Sequence, residues 1–151
     1  AYKCNMTDVC AAIGLAQMTR YDSMLERRRQ IITRYDQALA PEGVTSLRHY
    51  EEGSVSSGHL YLANLPGLGE KERNEFIERM ASADVACNVH YKPLPLLSAY
   101  RNLGFTIEDF PWAYALYASE VSLPLHTSLT DEQVDHVISC ALETLAALGR
   151  S

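Results

Sequence analysis

The chain has 151 residues, a formal net charge of −6, 47% hydrophobic and 21% charged residues. That is enough chain for one domain with its own core, and its acidity argues against a nucleic-acid partner, which needs clustered Lys and Arg. No apolar run approaches the ~20 residues that span a bilayer, so no membrane association is expected.

In chain order, Thr7 and Asp8 form a helix start: a capping hydroxyl, then a carboxylate near the positive end of the helix dipole. Val9, Ala12, Ile13, Ala16, Tyr21, Met24, Leu25, Ile31, Ile32, Tyr35 and Leu39 then recur at gaps near 3.6. With no proline before Pro41, this predicts one helix of roughly 30 residues, about 45 Å long. Within it, Arg27, Arg28 and Arg29 read as a solvated helix face.

Short strands are predicted at residues 44–47, 59–65, 85–90 and 121–125, where apolar residues alternate or cluster between turn signals. Residues 70–81 form a helix that turns Phe76, Ile77 and Met80 inward. A short helix over 100–103 stops at Gly104, and Pro111 opens another through residue 118. Thr130 and Gln133 frame a capping box for the last helix, whose inner face is Val134, Val137, Ile138, Ala141, Leu142 and Leu145. The first two strands are consecutive, so parallel crossovers cannot join them all. The fold class is α+β: a small, mainly antiparallel sheet with helices on one face and a long N-terminal helix.

Chemistry is sparse on this frame. No glycine-rich phosphate loop, H-E-x-x-H or G-x-S-x-G pattern occurs. The four cysteines, Cys4, Cys10, Cys87 and Cys140, lack metal spacing and are expected as reduced thiols in a cytoplasmic protein. Residues 1–6 show no secretory signal. One segment departs from this plainness. His90, Tyr91 and Lys92 end a strand with long polar side chains, and Pro93 and Pro95 then hold the backbone extended.

Four stretches together resemble one family. They are Ala1, Tyr2, Lys3, Cys4, Asn5, Met6, Thr7 and Asp8 with residues 11–17; Ser57, Gly58, His59, Leu60 and Tyr61; Val89, His90, Tyr91, Lys92, Pro93 and Leu94; and Ser122, Leu123, Pro124, Leu125 and His126 with residues 130–134. In this order they resemble the DegT/StrS-type sugar aminotransferases that use pyridoxal 5′-phosphate (PLP).

The resemblance implies that residues 1–151 are the C-terminal small domain of a fold-type I PLP enzyme. Residues 1–40 would be its linking helix and 41–151 an α/β sandwich, with the large domain absent. It implies a homodimer that moves an amino group from glutamate or glutamine to a nucleotide-linked keto sugar for polysaccharide synthesis. By the same resemblance Lys3 and Asn5 bind the cofactor, and His90, Tyr91 and Lys92 contact substrate. His59 stays structural. Ala1 stands where Gly is usual, Cys4 where Tyr is usual and Pro95 where His is frequent. The family's Schiff-base lysine lies ahead of Ala1, and Lys3, Lys71 and Lys92 lack its context. The chain alone is therefore expected to have no catalytic residue and no activity. Two alternatives stay open: a related PLP-dependent sugar dehydratase, and a standalone α+β module for ligand binding or oligomerisation. An exposed apolar stripe on the first helix would favour a missing partner surface.

Overall fold

A computed structural model describes residues 5–149. The N-terminal apolar pattern forms two helices, α1 (Asp8–Met18) and α2 (Tyr21–Leu39), and not one unbroken rod. At the break Arg20 leaves helical geometry (φ −114°, ψ 1°). Local side chains engage the carbonyls there: Thr19 Oγ1 donates to Ala16 O at 2.9 Å, and Ser23 Oγ donates at 2.8 Å to Arg20 O, which also accepts from the Met24 N–H. Thr7 caps α1 as expected, accepting from the Cys10 N–H at 3.3 Å.

The main sheet is antiparallel, in the order β1 (Thr45–Ser46), β4 (Tyr61–Asn64), β5 (Glu120–Leu123). Its register sets Tyr61 opposite Leu123 and Ala63 opposite Val121, which places these four on one face. Onto that face pack Ile31, Ile32, Tyr35 and Leu39 of α2, Phe76 and Met80 of α3 (Glu70–Ser82), and Val134, Val137 and Ala141 of α6 (Asp131–Leu148). Each large side chain buried there contributes about 1.5–3 kcal/mol. The Tyr35 hydroxyl donates to Pro124 O and the Tyr61 hydroxyl to Asp36 Oδ1, both at 2.8 Å, so the two buried phenols stay satisfied.

Two further differences from the sequence reading bear on function. A small hairpin, β2 (Tyr50–Glu51) with β3 (Ser54–Val55), turns at Gly53 between the first two predicted strands. The strand predicted over residues 85–90 reduces to one bridge, Asn88 with Ser122. Side chains capture the next two amides: Val89 N–H donates to Asn88 Oδ1 at 2.8 Å and His90 N–H to Glu120 Oε2 at 2.9 Å. With those donors taken, the ladder cannot continue. The short helix α4 (Ser98–Arg101) and then α5 (Pro111–Ser119) follow before β5.

The basic stretch on α2 is not merely solvated. Arg27 donates to Asp131 Oδ1 at 2.8 Å and to Leu129 O at 2.6 Å, and Arg34 binds Asp131 and Asp135. These contacts fasten the start of α6 to α2. Arg29 instead lies over the Tyr50 ring, 5.2 Å from its centroid.

Candidate functional site

On β4 and β5 the residues between the core positions point to the opposite face. Leu62 stands beside Ser122 and Asn64 beside Glu120. Here the sheet floors a cleft of about 290 Å³, walled by residues 45–47, by His90 and Tyr91, and by Ala113, Leu116 and Tyr117 of α5. The cleft combines apolar walls with a few polar groups, which is the usual character of a small-molecule site.

Its polar centre is a chain of three side chains. His90 Nδ1 lies 2.7 Å from Ser122 Oγ, and Ser122 Oγ donates to Glu120 Oε1 at 2.7 Å. The other carboxylate oxygen of Glu120 takes the His90 N–H. Glu120 and Ser122 are only 3% and 5% exposed. The His90 and Tyr91 rings meet edge to face with centroids 4.7 Å apart, across a cis peptide.

Behind this centre sits Arg73, 1% exposed. Its Nη1 donates to Tyr117 O at 2.8 Å and to Glu120 O at 3.2 Å, and the guanidinium lies 4.7 Å from the centroid of the Tyr117 ring. The guanidinium thus ties the end of α5 to the start of β5. The Tyr117 hydroxyl donates to Glu70 Oε1 at 3.0 Å, and burial together with that carboxylate raises its phenol above the ordinary value.

The residues expected at the site fall in different places. His90 and Tyr91 both line the cleft. Lys92 is exposed and lines an adjoining hollow with Glu70 and Arg101, separated from the cleft by Tyr117. Asn5 is exposed ahead of α1 and does not border the cleft. Lys3 lies outside the described residues. Glu120, Ser122, Asn64 and Tyr117 were not among the expected site residues, and Ser122 entered only as part of a family stretch. The available signal was polar Glu120 and Ser122 alternating with apolar Val121 and Leu123, the pattern of a strand whose second face is also used.

The described residues do not assemble a PLP site by themselves. Lys71 lies on the outer surface of α3 beside Glu75, Glu78 and Arg79, and Lys92 is exposed. Among the described residues no lysine or arginine lines the cleft to meet a phosphate dianion. Among the described residues no group of three His, Cys, Asp or Glu side chains is placed to hold a metal ion, and no helix is long and apolar enough to cross a membrane.

Comparison with known proteins supplies the wider frame. Residues 1–142 match the DegT/DnrJ/EryC1/StrS aminotransferase family. The spore coat polysaccharide biosynthesis protein SpsC of Bacillus subtilis is 35% identical over 145 residues, covering 91% of this chain and 36% of SpsC. The UDP-4-amino-4,6-dideoxy-N-acetyl-beta-L-altrosamine transaminase of Campylobacter jejuni (strain 81-176) is 30% identical over 128 residues, covering 85% of this chain and 34% of that enzyme. The PLP form of Spr1654 from Streptococcus pneumoniae superposes with a TM-score of 0.94 at 48% identity, covering 98% of this chain and 38% of Spr1654. The chain thus spans little more than a third of the length of these relatives. Matched across nearly all its length in sequence and in fold, the chain belongs to the DegT/DnrJ/EryC1/StrS aminotransferase family.

Proposed function

We propose that this chain is the C-terminal small domain of a PLP-dependent sugar aminotransferase. The carrying observation is its superposition, at 48% identity, on part of a family member solved with PLP. The reaction we assign moves an amino group from glutamate or glutamine to a nucleotide-linked keto sugar for polysaccharide synthesis, in a cytoplasmic homodimer. PLP, when bound in the intact enzyme, carries the amino group between donor and sugar. The lysine that holds it belongs to the larger part of the enzyme, and residues 1–40 link the two parts.

In this reading His90 and Tyr91 contact the sugar in the cleft, and Lys92 meets the nucleotide diphosphate in the adjoining hollow. Lys3 and Asn5 reach the PLP phosphate. Exposed apolar side chains support a role beside a larger body. On α1, Val9 and Leu15 are each 71% exposed, and on α5 Trp112 is 87% exposed. Large apolar side chains left this exposed are of the kind that a partner surface covers.

The test compares the full-length enzyme with this chain alone. Each is supplied with PLP, glutamate and a UDP-linked 4-keto-6-deoxy sugar, and the amino sugar is followed by mass spectrometry. Product from the full-length enzyme and none from the chain alone is the expected result. Turnover by the chain alone, or PLP covalently attached to Lys3, Lys71 or Lys92, overturns the assignment.

A further inference from the structure

We infer that Glu120 and Ser122 are positioning residues that fix the tautomer of His90, leaving its Nε2 as a hydrogen-bond acceptor for a hydroxyl of the sugar. This rests on the reading of His90 as a substrate contact and adds the device that prepares it.

The hydrogen positions follow from donor counting. An ionised carboxylate only accepts. Glu120 Oε2 accepts from the His90 N–H and Oε1 from the Ser122 hydroxyl. Serine has one hydroxyl hydrogen, so once it is given to Glu120, Ser122 Oγ can only accept from His90. The hydrogen of the neutral imidazole must then sit on Nδ1, 2.7 Å away. The lone pair is left on Nε2 of a ring that contacts Ser122 through Nδ1 and borders the cleft.

Every joint of this chain is anchored. Ser122 pairs with Leu62 on β4, and its backbone exchanges hydrogen bonds of 3.2 and 2.8 Å with Asn88, two residues before His90. Glu120 pairs with Asn64, and its carbonyl accepts from Arg73. A carboxylate kept this deep is costly unless its partners satisfy it, and both oxygens here are satisfied by groups that orient His90. The same two atoms therefore set the position of the His90 backbone and the state of its ring.

The test is selective ¹⁵N-histidine labelling of the full-length enzyme, read by two-bond ¹⁵N–¹H correlation at about pH 8, above the ordinary imidazole range. His90 is assigned by its absence from the His90→Gln spectrum. The wild-type ring is expected to carry its hydrogen on Nδ1. In Glu120→Gln the single amide oxygen goes to the His90 N–H and the amide NH₂ faces Ser122. The serine hydroxyl then turns to donate to Nδ1, and the ring hydrogen moves to Nε2. Ser122→Ala removes the acceptor and is expected to give a mixture of tautomers; it serves should the glutamine variant fail to fold.

With a UDP-linked 4-keto-6-deoxy sugar as probe, Glu120→Gln should raise KM for the sugar about ten-fold, the worth of one hydrogen bond, Ser122→Ala should raise it only about two-fold because part of the ring keeps the competent tautomer, and both should leave KM for glutamate unchanged. A wild-type hydrogen on Nε2, or a ring unaltered in both variants, overturns the positioning role. An inverted tautomer with unchanged KM for the sugar overturns the substrate contact on which it rests.

Discussion

The missing side chain of Gly58 decides how closely the segment ahead of β4 approaches α2. Its φ is +61°, and a Cβ built there would lie 2.9 Å from Ile32 Cδ1 and 3.3 Å from Arg28 Cβ. Its amide donates to Ser56 Oγ at 3.0 Å, and the same oxygen contacts His49 Nδ1 at 3.1 Å. Gly58→Ala adds left-handed backbone strain to a clash with a fully buried isoleucine, and should destabilise the fold by about 2–4 kcal/mol. A lowered urea midpoint at unchanged slope checks this; an unchanged midpoint contradicts it. The sequence placed Gly58 beside a family motif but could not show why glycine stands there, because the cause is Ile32, far away along the chain. The site residues divide in the same way. His90 and Tyr91 were legible because their motif is contiguous. Glu120 and Ser122 were not, because their meeting with His90 depends on the register of β5 against β4 and on the bridge at Asn88.

At the scale of elements, local signals were legible and long-range ones were not. The capping box of α6 formed as read: Gln133 N–H donates to Thr130 Oγ1 at 3.2 Å, and Thr130 N–H to Gln133 Oε1 at 2.9 Å. Thr130→Ala removes an acceptor from the first turn and should cost about 1 kcal/mol. Thr130→Ser keeps the hydroxyl and should cost far less, so equal losses in thermal melts of the two variants would dismiss the cap as the cause. The predicted strand at 85–90 failed for the opposite reason. Its alternation is real, but the donors of residues 89 and 90 are taken by side chains, one of them thirty residues away. The predicted single N-terminal helix broke where Thr19 and Ser23 offer local partners to the carbonyls. Apolar periodicity continues across Thr19 and Arg20 and is blind to that competition.

The whole molecule holds several protonated groups where their charged forms are disfavoured, and this gives its stability a pH profile. Burial pushes the Cys87 thiol from 9.0 up to about 12, and burial first, with nearby groups second, raises the phenols of Tyr35 and Tyr61 above the ordinary tyrosine range. In the unfolded chain these groups lose their protons at ordinary values, while the folded protein still holds them. Above pH 9 the unfolded state therefore binds fewer protons, and stability falls as pH rises towards 12. His49 acts at the other end. Burial holds its imidazole below the ordinary 6.5, so the unfolded state takes up the proton first and stability falls as pH drops through that value. Urea midpoints measured across pH should thus form a plateau with a shoulder on each side. Cys87→Ala removes one buried acid, so its midpoint should fall less steeply than the wild type's between pH 9 and 12, whatever its offset at neutral pH. Comparing slopes cancels the titrations independent of Cys87, and the Tyr35 phenol, which Cys87 helps to raise, shifts the slope in the same direction. Parallel curves through that window would mean that the Cys87 proton does not distinguish folded from unfolded chain. Thiol alkylation offers an independent check: exposed Cys10 should react well before Cys87, because the thiolate is the nucleophile and burial withholds both the charge and the access.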